Sequence, residues 1–149
     1  MLVYLISQYL NIKFWTNVIN MYINDLERII KNSPPLIRPL VVYRGVHYDY
    51  YNNKNFIYKT NRFISTTLNL QTAINFIDNK CCLMRIIIPH DYSVLFISGI
   101  SEFSGEFEIL IGGKETTFSI IKDKTLINSN TTDICNKKTI NVSDMIIVK

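Results

Sequence analysis

The sequence predicts a single α+β domain of 149 residues, with a helical N-terminal part over residues 1–35 and a mostly β core over 36–149. Two observations carry the prediction. Val18, Ile19, Tyr22, Ile23, Leu26, Ile29 and Ile30 recur at 3.6-residue spacing until Asn32-Ser33-Pro34-Pro35 breaks the pattern. Beyond that break come short β-branched and aromatic runs divided by polar or Gly-containing stretches. Crossover helices are not regularly interposed between those runs, which argues against a doubly wound parallel sheet.

Thr16 or Asn17 is a plausible cap for the strongly periodic helix, and Met1 to Trp15 is expected to be helical before it, with Tyr9, Phe14 and Trp15 in the core. Leu40 to Val46 reads as the first strand, followed by a polar loop from His47 to Asn61. Phe63 to Thr67 is a short strand, and Asn69 caps a helix whose apolar positions are Leu70, Ala73, Ile74 and Ile77. Cys82 to Ile88 is a buried strand ended by Pro89, and Ser93 to Ile97 is another. A loop from Ser98 leads through Ser104-Gly105 into Glu106-Phe107-Glu108-Ile109-Leu110-Ile111. Thr116 to Lys122 and Thr139 to Lys149 complete the β pattern, with Asn128 to Thr132 as loop.

Composition bounds the function. Hydrophobic residues make up 48% and charged residues 19%, a globular balance that argues against disorder. The net charge of +4 favours an anionic ligand, yet Lys137-Lys138 is the only adjacent basic pair, so no nucleic-acid stripe is present. Three cysteines, two of them adjacent, and two histidines supply neither a disulfide framework nor a metal-ligand spacing. No apolar run approaches the ~18–20 residues of a membrane helix. The apolar start, Met1 to Ile6, lacks the basic region and cleavage site of a signal peptide.

Three places carry chemistry. Arg44 shares a strand face with Val42 and Val46, so a planar guanidinium emerges from an apolar surface. It is either a strand-end Arg reaching solvent or a group fixed to hold two phosphate oxygens. Ser65-Thr66-Thr67 ends a strand in three hydroxyls, which serve as turn formers or caps in many proteins. Strand alternation is expected to place Glu106 and Glu108 on one face, with Phe107 opposed. Two like charges there mark either a solvated strand edge or a pair of acid–base groups.

In this order and strand context, Arg44, Ser65 and Glu106-x-Glu108 resemble the mono-ADP-ribosyltransferase exoenzymes of the Arg/Ser/Glu class. Within that class they are similar to the arginine-modifying, binary-toxin-like members. The resemblance extends over roughly residues 16–122, through Val42-Tyr43-Arg44-Gly45-Val46, Phe63 to Leu68, Ala73 and Phe76 on the following helix, and Ile88-Pro89. It implies two packed, mainly antiparallel sheets around a NAD⁺ cleft, with helices to one side.

The resemblance also implies roles. Arg44, Gly45, Ser65, Thr66, Thr67 and Glu108 would bind NAD⁺, with Arg44 on its phosphates. Ser65 would orient Glu108, and Glu108 would engage the nicotinamide ribose and stabilise an oxocarbenium-like transition state. Glu106 and Phe103 would meet the acceptor, an arginine of a host protein, and no metal, nucleic acid or membrane is implied. A monomer, secreted or delivered into a host cell, is the expectation. The third hydroxyl is Thr67 where the family has Ser, and Asp78-Asn79-Lys80 is short where relatives carry a phosphate–nicotinamide loop. A NAD⁺ glycohydrolase and an inactive binding module of the same fold are the alternatives.

Overall fold

The computed structural model describes residues 2–46, 57–77, 82–97, 105, 107–113, 115–128 and 139–148. Helix α1 (Leu2–Asn32) is continuous. Thr16, expected to cap a helix starting there, lies inside it, and its hydroxyl donates to the Ile12 carbonyl at 2.8 Å, as a mid-helix Thr does. The helix ends where sequence chemistry ends it. The Ser33 N–H closes on the Ile30 carbonyl at 3.0 Å, its hydroxyl donates to the Ile29 carbonyl at 2.9 Å, and Pro34 has no N–H to continue the ladder.

The C-terminal end of α1 meets the sheet, where Glu27 Cγ and the Phe63 ring border Gly113. Ile30 is therefore buried and Leu26 half-buried, while Ile19, Tyr22 and Ile29 of the same stripe stay exposed. Phe14 and Trp15, expected in the core, are 59% and 56% exposed and pack edge to face on each other at 5.6 Å between centroids. Periodicity found the apolar face but not how much of it the β core covers. The side chain of Tyr9 lies outside the described residues.

A short strap follows α1. Pro35 bridges Ser93, the Leu36 N–H donates to the Tyr92 carbonyl at 3.0 Å, and Asp91 donates back to Leu36 at 2.8 Å. The core then comprises β1 (Leu40–Val46), β2 (Ile57–Thr60), β3 (Phe63–Thr67), helix α2 (Leu70–Asn75), β4 (Cys82–Ile88), β5 (Leu95–Phe96), β6 (Glu108–Gly112), β7 (Thr116–Asn128) and β8 (Thr139–Val148). Hydrogen bonding orders the strands β2-β7-β8-β4-β1-β3-β6-β5. β4 and β8 are parallel and the other pairs antiparallel, so the mainly antiparallel α+β expectation holds.

The pairings trace one sheet, not two. β1 pairs with β4 along its whole length but meets β3 at the single pair Tyr43↔Thr67. The two expected sheets are thus the halves of one, joined at a narrow seam. Val42, Ile86, Ile88, Phe118 and Met145 of one half share a core cluster with Ile64, Ile109 and Ile111 of the other. On the opposite face, Ala73, Ile74 and Ile77 of the α2 segment pack with Leu83, Ile140 and Val142 beside Tyr43.

Several boundaries differ from expectation. Residues 57–60, assigned to loop, form β2 along β7, with Tyr58 against Phe118 at 5.7 Å; four residues are too few to show a period. β7 runs past Lys122 to Asn128, with register shifts between Ile120 and Thr125 that break its alternation. β6 begins at Glu108 rather than Glu106, because Phe107 has φ 49° and cannot continue a strand.

Candidate active site

The seam between β1 and β3 builds the site. No register pair follows Tyr43↔Thr67, so β1 does not pair with the rest of β3 and the Ser65 carbonyl has no ladder partner there. The Arg44 guanidinium takes it, with Nη1 donating to the Ser65 carbonyl at 2.7 Å. Val42 and Val46, 0% and 4% exposed, flank Arg44 along its strand. A guanidinium has five N–H donors in a rigid fork, and the carbonyl occupies one of them.

Ser65 links Arg44 to the carboxylate. β3 and β6 pair with Thr67 opposite Glu108 and Ser65 opposite Leu110, which makes Ser65 and Glu108 diagonal neighbours on one face. The Ser65 hydroxyl donates a short hydrogen bond to Glu108 Oε1. Arg44, Ser65 and Glu108 are thus brought together from three strands.

The other two hydroxyls bond to the backbone. Thr66 is 3% exposed, and its Oγ1 donates to the Ile109 carbonyl at 2.8 Å, bolting β3 to β6 in the register that faces Ser65 to Glu108. Thr67 is 6% exposed and accepts the Asn69 N–H at 3.0 Å, starting the turn into α2. Asn69 caps that helix as expected, accepting from the N–H groups of Gln71 at 2.9 Å and Thr72 at 3.4 Å. Both threonines are therefore turned toward backbone partners and hold the frame around Ser65 and Glu108.

Gly45 is likewise a packing position. A Cβ there would lie 2.4 Å from the Ala73 carbonyl oxygen and 2.8 Å from Phe76 C, so its bare Cα lets the α2 segment sit directly behind Arg44. Glu106 and Phe103, assigned to the acceptor side, lie outside the described residues, as does the loop 98–104.

Two features escaped sequence reasoning. Arg85 and Asp144 face each other across the parallel β4–β8 pair in a bidentate ion pair, with Nε to Oδ1 at 2.7 Å and Nη2 to Oδ2 at 2.6 Å. The hydrogen bond that Arg85 donates to Asp144 raises the Arg85 pKa above its ordinary value against the lowering effect of burial. The separation of 59 residues left no local signal for it. The second is Phe107, exposed at 53% in a left-handed conformation next to Glu108. A non-glycine residue there costs on the order of 1–2 kcal/mol. Its only sequence trace is the preceding Ser104-Gly105.

Among the described residues no group of His, Cys, Asp and Glu is arranged to hold a metal, and no helix is long and apolar enough to cross a membrane. The sequence profile of the ADP-ribosyltransferase exoenzymes matches residues 3–144. No curated protein sequence matches the chain. Solved structures do. Exoenzyme S from Pseudomonas aeruginosa, in complex with human 14-3-3 protein beta and carba-NAD, superposes with a TM-score of 0.61 at 16% identity, covering 83% of this chain and 56% of that one. Plx2a, an ADP-ribosyltransferase toxin from Paenibacillus larvae, gives 0.64 at 15% identity over 85% of this chain and 70% of its own. BECa, the ADP-ribosylating toxin of a Clostridium perfringens binary enterotoxin, solved with NADH, gives 0.63 at 15% identity over 85% and 34%. The chain thus spans about half of the exoenzyme S chain and a third of BECa.

Proposed function

Because the chain belongs to the ADP-ribosyltransferase exoenzyme family, we propose that it transfers ADP-ribose from NAD⁺ to a protein side chain, an arginine, with Arg44, Ser65 and Glu108 at the reacting centre. The observation that carries this reading is the continuous chain of contacts from the Arg44 guanidinium through Ser65 to the Glu108 carboxylate. NAD⁺ presents an anionic pyrophosphate and a ribose at fixed separation. A half-buried guanidinium on β1 and a hydrogen-bonded carboxylate on β6, the two strands that flank β3, are chemically complementary to those two parts.

The chemistry follows from charge. Breaking the bond between ribose C1′ and the nicotinamide nitrogen sends the bonding electrons to the ring, which leaves neutral, and builds positive charge on the ribose. A carboxylate held in place by the Ser65 hydroxyl stabilises that charge more than it stabilises the ground state, and this difference lowers the barrier. Arg44 holds the phosphates so that the ribose stays against Glu108. The acceptor nitrogen then bonds to C1′. A guanidinium, with a pKa above about 12, must give up a proton as it does so, and Glu106 is the assigned base. Support for arginine as acceptor comes from Glu106 in the sequence.

Nicotinamide release and transfer of label from NAD⁺ test the reading. Glu108→Gln keeps the shape and removes the charge, and both rates are expected to fall roughly a hundredfold to a thousandfold. Wild-type rates in that variant overturn it. Wild-type nicotinamide release with no labelled acceptor points to water as the acceptor.

A further inference from the structure

Helix α1 carries an apolar seam that the β core leaves largely uncovered. Ile12, Trp15, Ile19, Tyr22, Leu26 and Ile29 follow one another at alternating steps of three and four residues. That is the 3.5-residue period of a helix that packs along another helix. No charged residue interrupts the seam. Asp25 and Arg28 border it, and they satisfy each other in an ion pair at 3.1 Å. The opposite face is polar, with Lys13, Asn17, Asn20, Asn24, Glu27 and Lys31.

The seam is not the stripe that anchors α1. Ile30 is the buried position of the helix, and Glu27 lies beside Gly113. Leu26 is half-buried at that end, while the other five seam residues run from 44% exposed at Ile29 to 63% at Ile12. Each chain thus leaves on the order of 600 Å² of large apolar side chain in water along one line. That is the upper limit of the patches monomers carry, and patches of this size mark interaction surfaces.

The seam fits a second copy of itself. A two-fold axis across α1, midway between Ile19 and Tyr22, sets Ile12 against Ile29 of the second copy, Trp15 against Leu26 and Ile19 against Tyr22. Every layer is apolar, and each aromatic ring meets an aliphatic side chain, the large-against-small alternation that close packing favours. A parallel pair would instead set Trp15 on Trp15 and Tyr22 on Tyr22. Antiparallel pairing also opposes the two helix dipoles. It places the β cores, each joined at the C-terminal end of α1, at opposite ends of the pair, which lessens the repulsion between two chains of net charge +4. The area suffices. Two seams offer about 1,200 Å², within the range of specific interfaces, and Phe14, Met21 and Ile23 at the rim, all exposed, add to it.

We infer that the protein forms an antiparallel homodimer through α1, in place of the monomer expected from the sequence. The pairing does not depend on the transferase reading.

Trp15 is the chain's single tryptophan, and its place on the seam makes it a reporter. Light scattering after size exclusion, at loadings from about 1 to 100 μM, should reach twice the monomer mass at the upper end. Tryptophan emission should shift to the blue over the same range. Ile19→Lys and Tyr22→Glu replace exposed seam residues, and Asn20→Glu lies on the polar face. Thermal melting at the lowest concentration verifies that each variant is folded. The two seam variants should each stay monomeric at the highest concentration with no blue shift, and Asn20→Glu should dimerise like wild type. An equimolar mixture of the two seam variants should recover the dimer, because the antiparallel layer sets the introduced ammonium against the introduced carboxylate. A wild-type protein that stays monomeric throughout overturns the inference and assigns the seam to a different helix, and a larger assembly overturns the two-copy pairing. A dimer that survives Ile19→Lys, or that Asn20→Glu breaks equally, places the interface elsewhere. Seam variants that stay monomeric when mixed overturn the antiparallel register.

Discussion

Gly45→Ala is the sharpest probe of how the fold supports the site. The added methyl carbon would sit 2.4 Å from the Ala73 carbonyl oxygen, 2.8 Å from Phe76 C and 2.9 Å from Ile77 N. All three are backbone atoms, so no side-chain rotation relieves the contact. Ordinary van der Waals contact begins at 3.4 Å, which requires the α2 segment to retreat by roughly 1 Å. That segment carries Ala73, Ile74 and Ile77, at 1%, 7% and 3% exposure, and they seal the second core cluster. Forcing it outward loosens that cluster, and overpacking of this kind costs about 2–3 kcal/mol. For a domain of this length the melting temperature should fall by roughly 5–10 °C. Since Arg44 is the preceding residue, any shift of β1 also moves its guanidinium away from the Ser65 carbonyl, and kcat/KM for NAD⁺ should fall with the stability. Differential scanning calorimetry or a circular-dichroism melt measures the first effect and nicotinamide release the second. A Gly45→Ala variant that melts within 1 °C of wild type, about a third of a kcal/mol at this chain length, would show that α2 is free to move and that Gly45 is not a packing position.

Two further outcomes follow from named contacts. Ser65→Ala removes the hydroxyl that orients Glu108 but touches an exposed residue, so nicotinamide release should fall by roughly tenfold to a hundredfold with little change in melting temperature; an equal loss in both would make Ser65 structural instead. Arg85→Met strips the partner from Asp144, whose side chain is 11% exposed against 43% for Arg85. Allowing for the exposed side of the pair, the loss should be about 2–3 kcal/mol, and Arg85→Met combined with Asp144→Leu should recover much of it in denaturant titrations. The pH dependence has a definite sign. A raised Arg85 pKa contributes stability that is complete below the unfolded-state value and is lost only as pH rises through the higher folded value. Melts between pH 8 and pH 10 should therefore show no loss from this pair.

Much of this protein was legible residue by residue. Pro34 and Pro35 ended α1, Asn69 capped α2, and Cys82–Ile88 appeared as a strand with the bounds the fold gives it, because each depends on backbone chemistry within a few residues. The trio Arg44, Ser65 and Glu108 was also readable, since strand order and residue type along the chain carried it. Contacts decided by distant partners were not readable. Exposure of Phe14 and Trp15 depends on how far the β core extends under α1, and the Arg85–Asp144 pair depends on a parallel pairing of strands far apart in sequence.

The hydroxyl run shows the division within three residues. Sequence determined that Ser65, Thr66 and Thr67 stand together at the end of a strand. Only the tertiary structure decided that Ser65 faces Glu108, while Thr66 bonds the Ile109 carbonyl and Thr67 starts the turn into α2. Alternation along a strand is local, but which face meets which neighbour is set by register with β6. The same holds for Phe107, where strand alternation predicted a simple reversal of side and the hydrogen bonds from Leu68 and Ile97 imposed a left-handed turn instead. Local chemistry determines what each segment is able to be, and the long-range pairing of β1, β3 and β6 determines which of its groups reach the site.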